Sequence, residues 1–83
     1  MNTLVINSLN ELPDKIRSER IKQNLTQREL AQRAGIGIKT MGTAELGVYT
    51  PHVEVLLNIA KALGYDNIEF RLGDIRLQNW NKI

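Results

Sequence analysis

Residues 34–47 read AGIGIKTMGTAELG and hold four of the six glycines of an 83-residue chain. Glycine is about 1 kcal/mol worse than alanine inside a helix, yet the sequence on both sides of this stretch has helical periodicity. Upstream, Thr26-Gln27-Arg28-Glu29 has the form of a capping box, and Leu30, Ala31 and Ala34 follow at helical spacing, so a short helix is predicted to begin at Gln27. Gly35 ends it, because glycine takes the left-handed conformation that closes a helix at little cost. Gly37 is an acceptable N-cap for another helix, with Met41 and Ala44 three apart on its inner side, and Gly47 closes that helix. Three of the four glycines therefore mark helix ends. Gly42 falls inside a helix.

Working outward, Leu9, Leu12, Ile16, Arg20, Ile21 and Leu25 recur at steps of three to five and predict an amphipathic helix from about Ser8 to Asn24. Ser8 and Glu11 have capping-box spacing, an Asn10 cap is equally open, and Pro13 is tolerated in the first turn. Downstream, Thr50-Pro51 or His52 starts a helix whose core face is Val53, Leu56, Leu57, Ile59, Ala60 and Leu63, and Gly64 stops it. Asn67-Ile68-Glu69-Phe70-Arg71-Leu72 then alternates apolar and charged residues with period two, the pattern of a half-buried strand. A lone strand is not stable. Its candidate partners are Thr3–Ile6, residues 75–77 after the Gly73-Asp74 turn, or its own copy in a second subunit.

Composition narrows the class. With 42% hydrophobic and 24% charged residues the chain is ordinary for a globular domain, and its length is that of one domain with a modest core. There is no cysteine, so disulfide frames and thiolate zinc sites are excluded. No apolar run approaches the roughly 20 residues of a membrane span, and the basic start of a secretory signal is missing. The expectation is a cytoplasmic protein without a membrane role. The single histidine, His52, sits at a helix start, and no carboxylates cluster. No catalytic residue, metal site or cofactor is therefore expected, and the chain is not read as an enzyme.

Two short helices joined by a tight glycine turn form a helix-turn-helix, in which the second helix enters the DNA major groove. The segment NLTQRELAQRAGI, followed by TM..AELG and by TPHVEVLLNIAKALG, resembles the phage-repressor and Cro-like (XRE) helix-turn-helix family over about Ile16 to Gly64. The resemblance implies an all-α, five-element, lambda-repressor-like domain with a short C-terminal β-strand for dimerisation. Its divisions are an N-terminal segment at 1–8, a DNA-binding domain at 9–66, and the strand and tail at 67–83.

The family's roles fall on particular residues here. Ile38, Lys39 and Thr43 take the base-reading positions. Gln27, at the start of the second helix, takes the phosphate position, with Arg28, Gly37, Thr40, Tyr49 and Thr50 as further backbone contacts. Lysine can donate to guanine O6 and N7, and isoleucine can pack on a thymine methyl. Lys15, Arg17, Lys22, Arg28, Lys39 and Lys61 would supply charge. Glu45 resembles the family's buried glutamate, paired with an arginine at the place of Arg20. Leu46-Gly47-Val48-Tyr49 departs from the pattern, where polar or basic residues usually follow the glutamate, and leaves either a phosphate contact or a dimer contact. Close approach to DNA or to another helix would offset the cost of Gly42.

The ending ALGYDNIEFRL is similar to the HipB-like antitoxin branch, which implies a dimer strand at Ile68, Phe70 and Leu72. It also implies a toxin partner, a HipA-like kinase, with Trp80 as a candidate anchor. The expected function is a dimeric repressor on double-stranded DNA with a palindromic operator, acting as an autoregulating antitoxin. The alternatives are a phage or plasmid repressor without a toxin, or a protein-interaction module built on the same scaffold.

Overall fold

The computed structural model describes residues 2–71. Along them run strand β1 (Thr3–Ile6), a 3-10 turn (Leu9–Glu11), helices α1 (Leu12–Lys22), α2 (Gln27–Ala34), α3 (Ile38–Leu46) and α4 (Val53–Ala62), and strand β2 (Asn67–Phe70). The fold is the mostly helical one expected, with a short strand after the last described helix.

The chain turns between α2 and α3 because Gly35 takes φ +71°, which lets its amide and that of Ile36 bond back to Gln32 and Ala31. At the other end of α2, Thr26 Oγ1 accepts from the Glu29 amide at 3.0 Å and the Glu29 carboxylate accepts from the Thr26 amide at 2.8 Å, completing the capping box. Asn24, at φ +58°, closes α1 in the same left-handed manner, a conformation asparagine tolerates better than most residues.

The core is one cluster. Leu30, Ala31 and Ala34 of α2 meet Met41 and Ala44 of α3, Leu12 and Ile16 of α1, and Leu56, Ile59, Ala60 and Leu63 of the α4 region. Ile36 packs against its edge. The sequence pattern misplaces three apolar residues: Leu9, Ile21 and Val53 are exposed. Helix α1 begins at Leu12, after the 3-10 turn, so Leu9 never joins its stripe, and Pro13 has no amide to extend helical bonding further upstream. The buried stripe of α1 is then Leu12, Ile16 and Glu19, steps of four and three, which turns Ile21 to solvent. Val53 is the first residue of α4, and His52 is its N-cap without a side-chain cap bond.

The N-terminal segment is part of the fold. Leu4 and Ile6 are buried in the core, and β1 pairs with β2 in parallel, Thr3 opposite Asn67 and Ile6 opposite Phe70. The start of β1 is tied further: the Asn2 amide donates to Asp66 at 2.9 Å, and the Asp66 amide to Asn2 O at 2.7 Å. Of the three partners open to β2 from sequence, the chain's own Thr3–Ile6 is the one observed. Ile68 and Phe70 consequently pack against this chain's own core, while Leu72 and Trp80 lie outside the described residues.

Candidate nucleic-acid interface

Helix α3 has two different sides. Met41, Ala44 and Glu45 are buried, and the 100° step of the helix then directs Lys39 and Thr43 away from the core, while Ile38, seven residues before Glu45 and on its face, is exposed as the first residue of the helix. Lys39 and Ile38 are exposed. Lys39 has no ion-pair partner among the described residues, nor have Arg28 and Arg33 of α2, so three cations of the helix pair remain available to an anion. Arg17 and Lys22 are not equivalent to them. Arg17 is paired with Asp14 and Lys22 with Glu19, which leaves the expected basic surface narrower on α1.

The buried side fixes the helix. Glu45 is only 3% exposed, and a carboxylate so placed is tolerated only when fully paired. Arg20 grips it with two donors, Nε at 2.7 Å and a terminal nitrogen at 3.0 Å, and its other terminal nitrogen holds Leu25 O at 2.8 Å. Gln27 Nε2 donates to the same carboxylate at 3.2 Å. One acid on α3 is therefore bound from α1 and from the first residue of α2, setting the angle between the two helices of the turn. Gln27, expected at a phosphate, directs one of its amide protons inward and keeps the other.

Thr43 is likewise partly engaged. Its hydroxyl donates to Thr40 O at 2.9 Å and lies 3.3 Å from the Tyr49 hydroxyl, which brings the loop after α3 against the outward side of the helix. The Thr43 methyl and an acceptor lone pair remain for a ligand. Thr40 is half-buried, Gly37 caps α3 through its backbone alone, and Thr50 is exposed. A Cβ built on Gly42 meets nothing within 4 Å, so no neighbour inside the chain requires glycine there.

Sequence reasoning missed a second buried acid. Glu19 accepts from the Tyr65 hydroxyl at 2.7 Å and from Lys22 at 3.2 Å. The tyrosine hydrogen bond holds the Glu19 carboxyl below its usual range and raises that of Tyr65 in turn. Its place three residues after Ile16 and seven after Leu12 is the signal that would have found it. Charge alone disguised it as surface.

Among the described residues no group of histidine, cysteine or acidic side chains is placed to hold a metal ion, and no helix is long and apolar enough to cross a membrane. The chain is 43% identical over 54 residues to an uncharacterised HTH-type transcriptional regulator of Methanothermobacter thermautotrophicus, an alignment covering 65% of this chain and 78% of that protein. No solved structure matches. The helix-turn-helix family profile matches residues 16–66, a span from mid-α1 through α4 that contains Arg20, Glu45 and the whole α2–α3 turn, and the chain belongs to that family.

Proposed function

We propose that this chain is a DNA-binding transcription regulator, a repressor that acts as a dimer on a palindromic operator. The observation that carries the reading is the two-sided α3: Lys39 stands exposed on the side turned from the core, with Ile38 exposed at the helix start, while the buried side is clamped through Glu45 by Arg20 and Gln27. A rigidly held helix with an unpaired lysine and small side chains is suited to the major groove. Lys39 donates to guanine O6 and N7, Ile38 packs on a thymine methyl, and Thr43 offers its methyl or accepts from a base. Gln27 and Arg28 bind phosphate beside the first-turn amides of α2, which attract anions. Gly37, Thr40, Tyr49 and Thr50 lie along the phosphate track. In the dimer the two recognition helices occupy successive major grooves about 34 Å apart.

Titration of a labelled duplex from just upstream of the chain's own gene, against a scrambled duplex at two salt concentrations, tests this. Preference for the upstream duplex, with affinity that falls steeply with salt, is expected. Equal binding to both sequences, or none to either, would return the fold to the role of a scaffold.

The finer reading is an antitoxin of a toxin–antitoxin operon that represses its own transcription and binds a HipA-like kinase. It rests on the resemblance of the 62–72 segment to the HipB-like branch. Expression of the neighbouring reading frame should arrest growth and co-expression of this chain should restore it. Unimpaired growth with the neighbour alone would favour a phage or plasmid repressor.

A further inference from the structure

The loop after α3 is tied to the helix twice, and both ties are made at Thr43. The Gly47 amide donates to Thr43 O at 3.1 Å, and the Tyr49 hydroxyl lies 3.3 Å from Thr43 Oγ1. The loop is held in place for the second contact. Gly47 takes φ +76°, and a Cβ there would lie 3.0 Å from Pro13 Cγ, so the loop sits on the start of α1, while Pro51 at its far end is buried. Tyr49 is thereby carried against the outward side of α3.

The protons of the two hydroxyls decide what Thr43 presents. Each hydroxyl has one proton and two acceptor lone pairs. Thr43 spends its proton on Thr40 O, three residues back, at 2.9 Å, the shorter of its two contacts. The longer contact is then made by the Tyr49 proton, donated to Thr43 Oγ1. Thr40 O and the Tyr49 hydroxyl flank the oxygen, which leaves the methyl as the open end of the side chain. The hydroxyl has no proton left for a base acceptor, and guanine offers only acceptors, N7 and O6, in the major groove. Thymine alone offers a C5 methyl, the group that a threonine methyl matches.

We propose that Tyr49 is a positioning residue for base reading: it holds the Thr43 hydroxyl so that the Thr43 methyl faces the bases, and a thymine stands opposite. This rests on the DNA-binding reading and names the group that Thr43 takes. It also defines the part of Tyr49 on the phosphate track. With its proton given to Thr43, Tyr49 lies beside the phosphates without donating to them.

Titration of the upstream duplex with each thymine replaced in turn by deoxyuridine, which removes only the methyl, tests this on the full chain. The wild-type chain should lose about fourfold in affinity at the thymine that Thr43 reads, the worth of one buried methyl. Thr43→Val keeps the methyl and should keep both the affinity and that loss. Thr43→Ser should bind the unmodified duplex about fourfold more weakly and be indifferent to the replacement at that thymine, which tells it from one read by Ile38. Tyr49→Phe should lose most of the same discrimination while binding the scrambled duplex as the wild type does. A Thr43→Val chain that loses the preference while Thr43→Ser keeps it would overturn the inference, because the hydroxyl would then be the reader. Tyr49→Phe weakening both duplexes alike would overturn it in favour of a phosphate donor, and Tyr49→Phe behaving as wild type would remove Tyr49 from recognition. Three-bond couplings of the Thr43 methyl carbon to the backbone report its χ1 without DNA. A single rotamer is expected, and averaged couplings would overturn the inference whatever the chain binds. Failure of the DNA-binding reading shows separately, as a wild-type chain that binds upstream and scrambled duplexes alike, and takes the inference with it.

Discussion

The turn before α3 and the loop after it begin alike and end differently. Each follows a short helix and each is entered through a left-handed glycine, Gly35 at φ +71° and Gly47 at φ +76°. In the first, Ile36 folds back onto the core, and the glycine has open space around it. In the second, the glycine presses on Pro13 while Leu46, Val48 and Tyr49 turn outward. The first connection is finished by its own chain. The second leaves its apolar side chains exposed, so similar backbone chemistry serves a packing function in one place and a display function in the other.

The largest disturbance to both connections comes from the clamp between them. Arg20→Ala leaves Glu45 buried without its main partner, and unfolding by urea should show a loss of about 3–5 kcal/mol. Substitution of the two glycines separates the connections. Gly35→Ala meets only backbone strain and should cost about 1 kcal/mol, whereas Gly47→Ala adds the collision with Pro13 and should cost about 2 kcal/mol, both read from denaturation midpoints. Equal losses would remove the distinction between them. Gly42→Ala should move the other way and stabilise by about 0.8 kcal/mol, since its helix is regular and the site of the new methyl is empty. If its DNA affinity falls while its melting temperature rises, close approach to DNA is the reason glycine stands there.

The smallest expected effect is a pH dependence outside both connections. The Glu19 carboxyl is held low chiefly by the Tyr65 hydroxyl, so the folded form binds its proton less readily than the unfolded chain. Its contribution is therefore full above the ordinary glutamate range and is lost as pH falls through the lowered one. Glu19→Gln should flatten that part of the acid limb of a stability–pH curve. An unchanged limb would show that the hydrogen bond does not favour the charged form.

Much of this was legible in the sequence because local rules and burial agreed. Thr26 to Glu29 set the start of α2, Gly35 its end, and Leu30, Ala31, Ala34, Met41 and Ala44 the inward positions. The strand at 67–70 followed from its alternation. Its partner did not, because period two states which side chains face inward and is silent about which edge is paired. The misplaced Ile21 and the overlooked Glu19 have one cause. Reading apolar residues as the buried stripe fails where a hydrogen-bonded acid occupies the stripe and an isoleucine lies just beyond it. For the candidate interface, residue types indicated Lys39 and Ile38, while the inward bond of Gln27 and the contact between Thr43 and Tyr49 depend on how α1 and the loop pack, which no local pattern encodes.

The central claim is that the outward side of α3 reads bases while the start of α2 holds the DNA backbone. Its most direct test is the ratio of specific to non-specific affinity for Lys39→Ala and Arg28→Ala, each against the upstream duplex and a scrambled one at fixed salt. Lys39→Ala should lower affinity for the upstream duplex by about 1–3 kcal/mol and collapse the ratio, whereas Arg28→Ala should weaken both duplexes alike and leave the ratio intact. A Lys39→Ala protein that keeps the wild-type ratio would contradict the claim and remove α3 from the recognition surface.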